Sequence, residues 1–169
     1  MKRVSVVETN LTFTQPLQPR QATRAIVTHH FGDLPIGYDT SKLDARWTHE
    51  MHIKDRGWAG IAYHYLIKTN GIIERGRPRQ TIGSHCKGHN HDTIGVVLAM
   101  DCSIAPPSAD ALVSMQGLYA DILDIYGLSS CAETMPGHRD LVLTTQCPGD
   151  ALYALLPDIR EHIRGIRGY

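Results

Sequence analysis

Short apolar runs and longer amphipathic stretches alternate along the chain, and their periods predict its elements. Residues 25–28 (AIVT) are β-prone and end in His29-His30. Between Ser41 and Arg56, Leu43, Trp47, Met51 and Lys54 recur at helical spacing. This predicts a helix capped by Asp39 or Thr40 and stopped by Gly57, with Trp47 and Met51 in the core. Residues 62–68 read as a strand with Tyr63 and Tyr65 on one face and His64 on the other. Asn70-Gly71 is a strong hairpin signal, and residues 72–74 form the return strand. Residues 93–100 are almost wholly apolar, as in a central strand buried on both faces. Residues 108–126 are helical, with Leu112, Met115, Leu118, Tyr119 and Ile122 on one face and Gly127 as the stop. Asp150 is the expected cap of a last helix that Pro157 kinks or splits. Residues 1–24 follow neither period. Residues 4–7 (VSVV) read as a short edge strand, and residues 15–21 as an extended connection around Pro16 and Pro19. The element order predicts an α/β or α+β domain over 25–169, a mixed sheet covered by helices, behind an N-terminal extension at 1–24.

Length and composition agree with this. The 169 residues suit one domain, and 42% hydrophobic with 20% charged residues is ordinary for a globular chain. Lys plus Arg equals Asp plus Glu, 17 each, so no strong field draws in nucleic acid or an anionic membrane. Arg160, Arg164 and Arg167 read as the solvated face of the final helix. No stretch approaches the ~20 apolar residues of a membrane span. The start, MKRVSVVETNLTF, breaks its apolar run at Glu8 and Asn10, so no signal peptide is expected.

Candidate chemistry lies in the ten histidines and four cysteines. None of Cys86, Cys102, Cys131 and Cys147 forms a CxxC pair, which fits small buried hydrophobes in a reducing compartment. Gly137-His138-Arg139-Asp140 is followed, nine positions after the histidine, by Cys147 in a TQCPG run. Imidazole and thiolate both ligate zinc, and a third ligand would leave the fourth position open, as a catalytic site requires. His29 could complete that set; on a strand only one of His29 and His30 readily faces a given site. The HEMH run at 49–52 spaces its histidines by three rather than the four of a helical metalloprotease motif, so His49 and His52 read as partly exposed helix residues. His85, His89 and His91 lie in a glycine-bearing loop that reads as a substrate-contacting or solvated segment.

Together these pieces resemble the zinc N-acetylmuramoyl-L-alanine amidases, a family that includes small phage amidases and animal peptidoglycan recognition proteins. The matching stretches are IVTHH at 26–30, WAGIAYHYLIKTNGIIERGR at 58–77, IGSHCKGHNHDTIGVVL at 82–98, and GHRD with TQCPG at 137–149. They occur in family order over about residues 24 to 150. The resemblance implies a central mixed sheet flanked by helices, with one zinc ion in a groove on one face. It implies His29, His138 and Cys147 as ligands and Tyr63 as the tyrosine beside the metal-activated water. Thr145 falls where the family places a Lys or Thr facing the scissile amide. His85 and Asn90 match groove-lining positions, and His64 and Gly95 structural ones. The family usually spaces its second histidine and the cysteine by eight, so this chain carries one extra residue within 141–144.

The implied activity is hydrolysis of the amide between N-acetylmuramic acid and L-alanine of peptidoglycan, the expected partner. A monomer is expected, with no nucleic acid and no membrane insertion. The implied context is a phage or prophage lysin made in the cytoplasm and released to the wall through a holin-type pore, or a secretion-system effector. Three rivals stand beside it. Some relatives bind peptidoglycan without cutting it, and those commonly lack a ligand. A cysteine hydrolase would use Cys147 as nucleophile and His138 as base. A wall-recycling amidase would typically carry Asp at position 147.

Overall fold

The computed structural model describes residues 4–168; the first three residues of the expected extension, and Tyr169, lie outside the described residues. Four strands form one mixed sheet: β1 (Ala25–His30), β2 (Tyr65–Ile67), β3 (Ile73–Arg75) and β4 (Thr93–Leu98). Their order is β1-β4-β2-β3. β4 pairs in parallel with β1 and β2, and β2 with β3 is the antiparallel hairpin predicted from Asn70-Gly71. Every residue of β1 and β4 is buried, as the apolar run at 93–100 predicts. The second strand is shorter than expected and begins at Tyr65, so Tyr63 and His64 precede it.

Side-chain alternation divides the sheet into two faces. Ile26, Ile94, Val96 and Leu98 pack with Met115, Leu118, Tyr119 and Ile122 of α2 (Ala109–Tyr126) and with Leu152, Leu156, Ile159 and Ile163 of α4 (Asp150–Arg167). On the other face Leu66, Val97 and Ala99 meet Leu43, with Phe31, Leu34, Tyr38 and Tyr63 packed around them. That second cluster floors the groove described below.

The helices correct several expectations. The segment expected to be helical from Ser41 is a 3-10 turn at Thr40–Lys42 capped by Asp39, followed by α1 (Ala45–Arg56). The Asp44 carboxylate caps α1 by accepting from Trp47 N, and Glu74 of β3 accepts from Ala45 N at 2.7 Å. Two acceptors at a helix N-terminus, where unpaired N–H groups cluster, set the start there. Gly57 closes the helix with a left-handed φ of 66°. Trp47 is 37% exposed and Met51 half-buried, so both leave the core and line the groove. α4 runs unbroken through Pro157, and Gly149 rather than Asp150 occupies its N-cap. Arg160 and Arg164 are pins rather than a solvated face, donating to the carbonyls of Met135 and Ser130, and Arg167 donates to Leu128 O and pairs with Asp124.

Residues 4–24 lie along the sheet edge and the loops beside it. Val7 exchanges hydrogen bonds with Ile73 and Arg75, a single bridge in place of the expected edge strand. This covers polar groups that β3 would otherwise present to other chains. Further along, Thr14 N donates to Ala59 O, Arg20 N to Gln80 O, and Phe13 packs edge-on against His49.

His49 and His52 are buried, against the expectation of partial exposure, because each ring accepts a backbone N–H. His49 Nδ1 takes that of Ile61 and His52 Nδ1 that of Ala62. His64 accepts from Gly95 N at 3.0 Å, and His30 from Cys102 N at 3.0 Å. A ring used this way must stay neutral on Nδ1. Burial holds His52 down to about 4 and His64 to about 3. The unfolded chain protonates these rings near 6.5, whereas the folded chain does not. Stability is therefore full above about pH 6.5 and falls as pH drops toward 4 and then 3. Thermal midpoints measured from pH 7.5 to 5 should fall, with the fully buried His64 alone accounting for about 2 kcal/mol by pH 5. His64→Gln should have a flatter pH profile; an equally steep one would contradict this assignment.

Candidate metal centre and groove

His29 is the penultimate residue of β1, on the sheet face that carries Leu66 and Val97. His138 is brought beside it by the backbone. Ile26 N donates to Thr134 O and Thr28 N to Pro136 O, so residues 134–137 extend the sheet past β1. The one-turn helix α3 (His138–Leu141) follows at once. Thr28 also ties to Tyr119 of α2 through their hydroxyls at 2.8 Å. The loop to Cys147 is closed by Arg139 N donating to Cys147 O, Val142 N to His138 O and Thr145 N to Val142 O. Residues 141–144 lie in this turn, where Leu143 stands 90% exposed.

The rest of the GHRD run is scaffold. Arg139 donates to Gln146 O, pairs with Asp150 and stacks on Tyr153. Asp140 accepts from Gly137 N and from the Tyr153 hydroxyl. α4 thus grips the His138 end of the ligand loop, and Arg139 ties that end to Gln146.

The ligand atoms of His29, His138 and Cys147 lie within 4.8 Å of one another, the cluster of this kind found among the described residues. His29 Nδ1 is 3.6 Å from Cys147 Sγ. Nitrogen and sulfur bound to one tetrahedral zinc, at about 2.1 and 2.3 Å, would stand about 3.6 Å apart, so the donor set fits that ion. The protonation states of the three groups are compatible with a cation. Burial pushes the Cys147 thiol up to about 12. Burial also lowers the pKa of His29 and His138, with neighbouring histidines adding to the effect at His29, so both rings are neutral donors. A dication is what would turn such a thiol into a thiolate ligand.

A groove of about 750 Å³ opens beside this triad. One wall is α1, through Trp47, Met51 and His52; another is the loop Thr145–Cys147. The Tyr63 ring centre lies 5.1 Å from that of His29. Burial, with the nearby Cys147 second, raises the Tyr63 pKa, so its phenol stays protonated. The Thr145 hydroxyl lines the groove and accepts from Cys147 N at 3.1 Å. His85 and Asn90, expected along the groove, are not among the residues that line this cavity. His85 is buried with Nδ1 2.9 Å from His29 Nε2, and the Asn90 side chain accepts from His85 N and Cys86 N.

Comparison with known proteins gives this arrangement its context. The N-acetylmuramoyl-L-alanine amidase family model matches residues 19–150. The chain belongs to this amidase family. The endolysin of Enterobacteria phage T3 is 33% identical over 106 residues, 58% of this chain and 67% of that protein. A human N-acetylmuramoyl-L-alanine amidase is 33% identical over 132 residues, 77% of this chain. The chain spans about two thirds of the phage protein and 23% of the human one. The solved endolysin amidase LysCS from Clostridium intestinale superposes with a TM-score of 0.81 at 27% identity, covering 98% of this chain and 97% of that one. The mixed α/β fold is therefore that of the family. No helix is long and apolar enough to cross a membrane among the described residues.

In this family member the glycine after Cys147-Pro148 is fixed by packing. Gly149 has a φ of 84°, and a Cβ there would fall 2.4 Å from the Cys102 carbonyl carbon. Backbone cannot retreat as a side chain can, so Gly149→Ala should cost about 2–4 kcal/mol of stability by denaturant titration. A loss under 0.5 kcal/mol would contradict the packing. Sequence reasoning missed His52, Trp47 and Met51 as groove residues. A helical period marks an apolar face but not whether core or groove lies opposite it.

Proposed function

We propose that the protein hydrolyses the amide between the lactyl group of N-acetylmuramic acid and L-alanine in peptidoglycan, as a lysin-type zinc amidase. The observation that carries this reading is the triad of His29, His138 and Cys147 at zinc-ligand spacing, open to the groove. These three residues would hold the ion. Bound zinc would supply a water activated near neutral pH and a Lewis acid for the scissile carbonyl. The chain does the rest. Tyr63 keeps its proton and is placed to donate to the oxygen that gains charge. Thr145 supplies a second hydroxyl at the groove wall. Trp47, Met51 and His52 offer an apolar and hydrogen-bonding wall for the stem peptide or glycan. The relatives named endolysin support a lysin that reaches the wall by release from the cell.

The cysteine-hydrolase alternative is disfavoured by the burial of Cys147. Cys147 does stand 3.6 Å from an imidazole nitrogen, that of His29. Burial nevertheless raises its thiol, whereas a nucleophilic cysteine needs a lowered one. A purely binding module would have no use for a complete ligand set. Digestion of purified peptidoglycan with mass spectrometry of the products tests the proposal. Free stem peptides beginning with L-alanine, without new reducing sugar ends, are expected. Intact glycan–peptide links with the protein retained on the wall would replace hydrolysis by recognition.

A further inference from the structure

Resting on the reading that His29 is a zinc ligand, we propose that His85 is its positioning residue. It accepts the Nε2 proton of His29 and so fixes Nδ1 as the bare nitrogen that faces Cys147 and His138. His85 Nδ1 and His29 Nε2 are 2.9 Å apart, and one must donate to the other. The surroundings allow one direction. The Thr93 hydroxyl lies 2.5 Å from the His89 carbonyl, which can only accept, so the hydroxyl proton is committed there. Thr93 Oγ1 therefore receives, from His85 Nε2 at 3.4 Å. With Nε2 protonated, the neutral His85 ring has Nδ1 free to accept from His29. The reverse direction would leave His29 Nδ1–H aimed at the Cys147 sulfur and His85 Nε2 facing a hydroxyl with no proton to offer.

The pocket around the ring is built to hold it. A Cβ at Gly95 of β4 would come within 2.5 Å of His85 Cγ, and one at Gly83 within 2.5 Å of His85 Cδ2. Two glycines thus leave a slot one ring thick. The Asn90 amide oxygen fixes the main chain beneath it at 2.7 Å from His85 N and 2.8 Å from Cys86 N. The ring is 7% exposed and lies behind His29, away from the groove wall. Gly83, Asn90, Thr93 and Gly95 thereby share one purpose, holding the partner that sets the tautomer of a ligand. Such partners typically change metal affinity 10–100-fold.

The test is zinc affinity by competition with a chromophoric chelator, together with the visible absorption of the cobalt-substituted protein. His85→Ala should bind zinc 10–100-fold more weakly than the unaltered chain and shift the cobalt bands, with near-ultraviolet dichroism of the metal-free protein unchanged. His85→Gln, whose carbonyl can accept the same proton, should recover most of the affinity. Thr93→Val, which removes the onward acceptor but keeps the shape, should show a smaller loss in the same direction, and it carries the test if His85→Ala does not fold. Unchanged affinity and cobalt bands in folded His85→Ala or Thr93→Val would overturn the role of His85 while leaving the zinc amidase reading intact. Failure of the unaltered chain to bind zinc would overturn both.

Discussion

Cys147→Ser is expected to abolish hydrolysis while leaving the protein folded. Serine keeps the size of the side chain but offers a hydroxyl in place of a thiolate, and zinc affinity should fall by more than the ~10–100-fold typical of residues behind a ligand. The several kcal/mol that a bound metal contributes to amide hydrolysis correspond to roughly 10³-fold or more in rate. The fold should survive because the loop is held elsewhere, by Arg139 on Gln146 O and Asp150 and by Asp140 on Gly137 N and Tyr153. Metal content, rate and thermal midpoint measured on one preparation check this. Cys147→Asp sharpens the result, since a carboxylate also ligates zinc. Partial activity in the aspartate variant is expected, and its complete absence alongside full zinc binding would point back to a nucleophilic thiol.

Tyr63→Phe should lower kcat by about 10²–10³-fold, the usual cost of losing one donor to a developing oxyanion. KM and zinc content should stay close to those of the parent, because the ring and its packing beside His29 remain. With the phenol pKa raised by burial, the parent should show no loss of rate from tyrosine ionisation at moderately alkaline pH. Steady-state kinetics on a soluble muramyl peptide would measure both. A rate within threefold of the parent would remove Tyr63 from the chemistry.

Much of the fold is legible wherever one local signal had no competitor. Asn70-Gly71 set the hairpin, the run at 93–100 set the central strand, and Gly57 and Gly127 ended their helices in left-handed conformations. The misplaced start of α1 had two aspartates, Asp39 and Asp44, each able to cap, and the decisive second acceptor, Glu74, lies on a distant strand. Residues 4–24 carry no period because single bridges and isolated hydrogen bonds hold them. The juxtaposition of His29 with His138 and Cys147 could not be read from spacing, since more than a hundred residues separate the first two. Motif order along the chain suggested it, and the backbone pairing of residues 134–137 with β1 is its physical cause. The buried histidines were the least legible. His30, His49, His52 and His64 are polar by type and buried because a backbone N–H from another segment needs an acceptor.

Stepwise zinc titration of metal-stripped protein, with amide cleavage of peptidoglycan and bound metal measured in the same samples, tests the central claim most directly. Activity should rise in proportion to zinc and reach its plateau at one ion per chain, with no rise in Cys147→Ser. Full activity before any zinc is added, or zinc bound at one equivalent without cleavage, would contradict a zinc amidase built on His29, His138 and Cys147.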